Sequence, residues 1–147
     1  MSAMMKKIPG YISDSLRNED KNPTHNTRLG RAIAPVSSAH PGLCGLLPLD
    51  NSLDAFACRY RLVEMAEKTL DVQYYIWEND MSGRLLFSVL LSAATRGVRV
   101  RLLLDDNNTQ GLDEMLCLLD AHPNIDVRLF NPFSFRTLRA LGYLTDF

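Results

Sequence analysis

Side chains able to do covalent or acid–base chemistry are few and scattered in this 147-residue chain. A histidine can act as nucleophile or acid near neutral pH, and the three present, His25, His40 and His122, each lack a lysine two residues later. His122 precedes Pro123 at the end of an expected helix, where it can meet terminal carbonyls, so structural or incidental roles are expected for all three. Cys44, Cys58 and Cys117 form no C-x-x-C pair, which argues against a zinc or redox site. Cys58 and Cys117 are expected to be reduced and buried in helices. The cluster Asp105-Asp106-Asn107-Asn108 offers oxygens that a hard cation could take, but Asp and Asn are also preferred turn and cap residues after a strand, and that reading is favoured. No G-x-x-x-x-G-K-[ST] or G-x-G-x-x-G loop occurs, so nucleotide binding by those motifs is not expected. The residues therefore nominate no catalytic group, no metal ligand and no cofactor site.

The elements that would position such groups are easier to read. A 46% hydrophobic fraction is enough for one globular core, and a net charge of −1 offers no global attraction to nucleic acid or anionic lipid. The densest apolar stretch, Leu85 to Ala94, is too short to span a bilayer, and no secretory signal follows the N-terminus, so a cytoplasmic address is expected. Residues 1–47 show no sustained period and read as a mobile leader adding little to folding. From 48 to 147 helix and strand patterns alternate, as in β-α-β units. Asn51 or Ser52 caps a helix over 52–69, with Leu53, Phe56, Ala57, Tyr60 and Val63 on one face. Ser82 caps a helix over 83–96 that buries Leu86, Val89, Leu90 and Ala93 and ends at Gly97. The third helix, 111–121, buries Leu112, Met115, Leu116 and Leu119.

Alternating apolar residues place strands at 71–77, 98–104 and 125–130. Short links imply right-handed crossovers and a parallel sheet, whose faces should both be covered, with Val72, Ile76, Val100, Leu102, Val127 and Leu129 among the most buried positions. The strand C-termini, the edge where open α/β sheets bind ligands, then carry Trp77 to Asp80, Asp105 to Asn108, and Asn131 with Pro132. Phe133 to Phe147 mixes aromatic and leucine side chains with Arg136 and Arg139. Such a segment suits a lipid interface or connecting structure, and two arginines favour the latter.

Five runs carry a family resemblance: Gly45 to Asp50, Ser52 to Glu67, Leu70 to Arg84 with its Tyr-Tyr-Ile-Trp, Arg96 to Thr109 with its Leu-Leu-Leu-Asp-Asp, and Val127 to Arg136. Together they resemble the start of the bacterial cardiolipin synthase branch of the phospholipase D superfamily, from about Pro41 onward. That resemblance implies an incomplete phospholipase D-like half-domain with no cofactor. It also implies phosphatidyl transfer through a phosphohistidine, phosphatidylglycerol as substrate, no nucleic acid partner, and peripheral attachment to the cytoplasmic face of the inner membrane. Neither H-x-K-x-x-x-x-D copy of the family occurs here. The first would come shortly after a segment like Leu141 to Phe147, so the chain is expected to be truncated before it and inactive alone. A pseudogene, a frameshift or one piece of a longer protein would each give this sequence. A nucleic-acid phosphodiesterase and a non-catalytic α/β interaction module are the competing readings.

Overall fold

In a computed structural model that describes residues 26–133, four helices and three strands alternate. The helices are α1 (Arg28–Ala39), α2 (Ser52–Met65), α3 (Met81–Thr95) and α4 (Asp113–Asp120). The strands are β1 (Thr69–Tyr74), β2 (Arg99–Asp105) and β3 (Ile125–Phe130). They form one parallel sheet in the order β1-β2-β3, with Val72 beside Leu102 and Leu102 beside Val127. The expected α/β class and parallel pairing are therefore observed.

Because each strand steps to the next in sequence order and parallel crossovers are right-handed, the connecting helices fall on the same face of the sheet. Val100, Leu102, Leu104, Ile125 and Val127 are buried there against Leu86, Phe87, Leu90, Ala93, Ala94, Leu116 and Leu119. This corrects the expectation of two covered faces. The other face carries Asp71, Gln73, Arg101, Asp126 and Arg128 together with the apolar Leu103, and the groove on it is lined by strand residues alone among the described residues. On that face Arg101 reaches across to Asp71 as a two-pronged pair, with Nη2 to Oδ2 at 2.6 Å, and Arg128 meets Asp126 on its own strand.

Of the six positions expected to be most buried, Val100, Leu102 and Val127 are buried, Val72 and Leu129 are half-buried, and Ile76 is exposed. Val72 lies on an edge strand, whereas Ile76 lies beyond the end of β1, which stops at Tyr74 instead of Trp77. There the chain leaves the sheet and sends the Trp77 ring into the core. It stacks on Phe87 at 4.4 Å between centroids and takes the edge of Tyr74 at 4.8 Å.

Helix ends follow local chemistry. Asn51 Oδ1 accepts from the backbone N–H of Leu53 at 2.8 Å, as expected of an N-cap. At α3 the cap is Asp80 in place of the expected Ser82, because Asp80 Oδ1 accepts both Gly83 N–H and the Ser82 hydroxyl at 2.8 Å. Gly97, at φ +94°, closes α3 with paired bonds from Gly97 N–H to Ala94 and from Val98 N–H to Ala93. Helix α2 ends earlier than expected, since the Arg96 guanidinium takes the Val63 and Glu64 carbonyls at 3.1 Å. Of its expected face, Val63 is buried and Phe56 and Tyr60 partly so, but Leu53 and Ala57 are exposed. Helix α4 begins at Asp113, two residues later than expected. Cys117, expected inside, is exposed on α4, and Cys58 is half-buried.

Helix α1 was not foreseen, because Gly30, Pro35 and a serine pair obscure its pattern. Thr27 caps it, and Glu67 accepts the Arg28 backbone N–H at 2.7 Å and its Nε at 3.1 Å. The helix buries none of its residues.

The Asp80 cap yields a pH prediction. Its carboxyl is held below the ordinary Asp value of 3.8 by the Gly83 N–H and then by the Ser82 hydroxyl. A pKa depressed by folding adds stability that is present above the unfolded value and lost as pH falls through the folded one. The Tm gap between the wild type and Asp80→Ala should thus be open at neutral pH and narrow below pH about 4. A gap of constant width in thermal melts would refute the assignment.

Candidate functional site

The three strand exits converge on one edge of the sheet, and side chains fasten them together. From the β1 exit, Asn79 Nδ2 donates to the Gly111 carbonyl at 3.4 Å while its Oδ1 accepts from Arg84 Nε at 3.0 Å. At the β2 exit Asp105 Oδ1 accepts the Asn107 N–H at 2.9 Å, opening a short 3-10 turn over Asp106–Asn108. Asp106 is fully buried. Its Oδ1 accepts the Thr109 hydroxyl at 2.8 Å, and its Oδ2 accepts the Phe133 N–H at 2.9 Å across from the β3 exit. Asn131 turns that exit at φ +48°, a left-handed value that asparagine tolerates, and Phe133 is buried just beyond it.

The turn-and-cap reading of Asp105 to Asn108 is thus the one seen. With both Asp106 oxygens already accepting hydrogen bonds, the cluster acts as a fastener between loops. No group of three or more His, Cys, Asp or Glu among the described residues is placed to hold a metal ion. The histidines do not join this edge. His122 accepts the Asn124 N–H at Nδ1, just before β3 and hence at the opposite end of the sheet, and His40 Nδ1 lies 3.0 Å from the Val36 carbonyl. His25 and, apart from Phe133, the arginine-bearing segment to Phe147 fall outside the described residues. Elsewhere, Arg101 holds the Asp71 carboxyl below its ordinary range, and the Arg28 N–H does the same for Glu67.

The clasps Asn79–Gly111 and Asp106–Phe133 were not read from sequence. Both join residues about thirty positions apart, and only the folded sheet brings them together.

No family model matches the chain. Among curated proteins, Cardiolipin synthase C of Escherichia coli is 76% identical over 120 residues, which is 82% of this chain and 25% of that protein. The chain is a cardiolipin synthase-like segment. An uncharacterized protein of Helicobacter pylori matches this cardiolipin synthase-like segment at 37% identity over 84% of the chain, again with 25% of its own length. A probable cardiolipin synthase of Bacillus subtilis, YwiE, is 25% identical over 59% of the chain and 17% of itself. The segment thus spans about a quarter or less of the length of these relatives. Among solved structures, a chain of the archaeal chromatin protein TrmBL2 overlays with a TM-score of 0.47 at 15% identity, covering 72% of this chain and 42% of that one. That likeness is too slight to bear on fold or function.

Proposed function

We propose that this segment forms the first part of a phospholipase D-like half-domain in an enzyme that transfers phosphatidyl groups between phospholipids, with phosphatidylglycerol as one substrate. The observation that carries the reading is the 76% identity to Cardiolipin synthase C. It runs across a sheet whose three strand exits are clasped together on the edge where open α/β folds bind ligands. In this reading the segment holds a reaction edge in shape, and a histidine and lysines outside it supply the nucleophile and the charge stabilisation at phosphate. None of the described side chains is assigned as catalytic, and no cofactor is needed. The work would take place on the cytoplasmic side of the inner membrane, as the similarity to cardiolipin synthases implies.

A chimera tests this directly. This chain replaces the matching quarter of Cardiolipin synthase C, and the chimera and the 147-residue chain alone are each supplied with phosphatidylglycerol and a phospholipid donor. Mass spectrometry should find cardiolipin with the chimera and none above a mock purification with the chain alone. A folded chimera that makes no cardiolipin overturns the reading, as does turnover by the chain alone.

A further inference from the structure

The two edges of the sheet are finished differently. In a parallel ladder the N–H and C=O of one residue point to the same side, and successive residues point to opposite sides. The Arg99 N–H donates to the Lys68 carbonyl at 2.9 Å and the Val100 N–H to the Asn124 carbonyl at 2.8 Å. Leu70, Val72 and Tyr74 therefore turn their backbone groups toward β2, while Asp71 and Gln73 turn theirs outward. On β3 the outward residues are Ile125 and Val127.

At β3 those N–H groups are already used. Ile125 donates to the His122 carbonyl at 3.0 Å and Val127 to Asp120 Oδ1 at 3.0 Å, which blunts that edge against further pairing. At β1 the N–H groups of Asp71 and Gln73 meet no acceptor among the described residues. Beside them, between β1, α2 and α3, lies an open groove of about 340 Å³ lined by Leu62, Val72, Tyr74, Leu86 and Leu90 among others. Arg59 also lines it, with its guanidinium 6.0 Å from the Tyr74 ring centre and no carboxylate partner among the described residues.

An unpaired backbone edge next to an apolar groove is what strand addition uses, since main-chain hydrogen bonds hold the strand and alternate side chains fill the groove. A hydrocarbon tail there would cover Asp71 and Gln73 and leave their backbone groups unmet. About three quarters of Cardiolipin synthase C lies outside the matched stretch, ample chain to supply a strand. We infer that the β1 edge takes an added strand from the remainder of the enzyme, with alternate apolar side chains entering the groove and a carboxylate meeting Arg59, and that the β3 edge stays terminal. The inference rests on the segment working within a longer synthase, but pairing is read without turnover, so its failure is distinct from a failure of phosphatidyl transfer.

Hydrogen exchange, resolved to single amides by mass spectrometry, is compared in the 147-residue chain and in the full-length chimera with Cardiolipin synthase C. In the chain alone the Asp71 and Gln73 amides should exchange about a hundredfold or more faster than those of Val72 and Tyr74, and in the chimera they should slow to match them. Gln73→Pro removes only an outward N–H, which an edge strand tolerates. It should leave the urea midpoint of the chain near that of wild type yet restore fast exchange at Asp71 in the chimera. Arg59→Glu should quicken exchange at Asp71 in the chimera about tenfold and leave the chain alone unaltered. Where the chimera does not fold, the aligned amides of Cardiolipin synthase C itself give the same reading. Fast exchange at Asp71 and Gln73 in the folded full-length protein overturns the inference. So does protection of both in the chain alone, which as a monomer would mean that the edge is not free and as a dimer in light scattering would make a second copy the occupant.

Discussion

Gly83→Ala should destabilise the fold by on the order of 3 kcal/mol, although the same change inside an unconstrained helix gains up to about 1 kcal/mol. Gly83 is in the first turn of α3, where the chain leaving β1 crosses the helix. A Cβ there would stand 2.1 Å from the Glu78 carbonyl oxygen and 2.8 Å from Trp77 Nε1. Neither neighbour can yield easily. The Glu78 oxygen is backbone, and the preceding Trp77 is held between Phe87 and Tyr74. Relief would require withdrawing the indole, and truncating such a buried aromatic costs about 3–5 kcal/mol. Against a total stability of about 5–15 kcal/mol for an ordinary domain, the loss would appear as a large fall in the urea midpoint. Ser88→Ala, at an exposed position of the same helix, should change the stability by no more than about 0.5 kcal/mol. A Gly83→Ala protein as stable as wild type would mean that the crossing is looser than the geometry describes.

The same crossing shows where the sequence is legible and where it is not. In Arg99 to Asp105 the alternation of Val100, Leu102 and Leu104 with Arg99, Arg101 and Asp105 translates into burial, because successive side chains point to opposite faces, and Leu103 is the one apolar residue on the half-buried side. The strand was therefore readable to within a residue. Tyr75, Ile76 and Trp77 are equally good strand residues by type, yet β1 stops at Tyr74 because the tertiary packing of one indole outweighs local preference. Similarly, nothing within α2 marks its end. The Arg96 guanidinium that takes its last carbonyls lies over thirty residues away. That no described helix covers the second face of the sheet was missed for a different reason. Covering both faces of a parallel sheet is the general tendency, but Asp71, Gln73, Arg101, Asp126 and Arg128 are already polar, and sequential strand order keeps the crossover helices on the other side. As for the site, motif spacing could report that no histidine is followed by a lysine two residues on. It could not report that Asp106 would be buried.

That burial sets the last expectation. Asp106→Ala should cost about 3 kcal/mol, because a donor buried without an acceptor loses about 1–3 kcal/mol and the vacated space adds to this. The Phe133 N–H donates to Asp106 Oδ2 at 2.9 Å, whereas the Thr109 hydroxyl keeps a second acceptor in the Asp106 carbonyl at 3.0 Å. The main consequence therefore falls on the β3 exit. Phe133, now buried, should loosen, and amide exchange at its N–H should quicken far more than at Leu102 in the sheet centre. A double-mutant cycle separates this clasp from plain loss of volume. Thr109→Val removes the hydroxyl partner while keeping the shape, so its cost should shrink by about 1 kcal/mol once Asp106 is already alanine. Strict additivity in urea melts, with Phe133 still protected from exchange, would show that the carboxyl only fills space. The opposite result would make Asp106 the residue that holds the β2 and β3 exits at a common edge, the arrangement that a ligand approaching the strand ends requires.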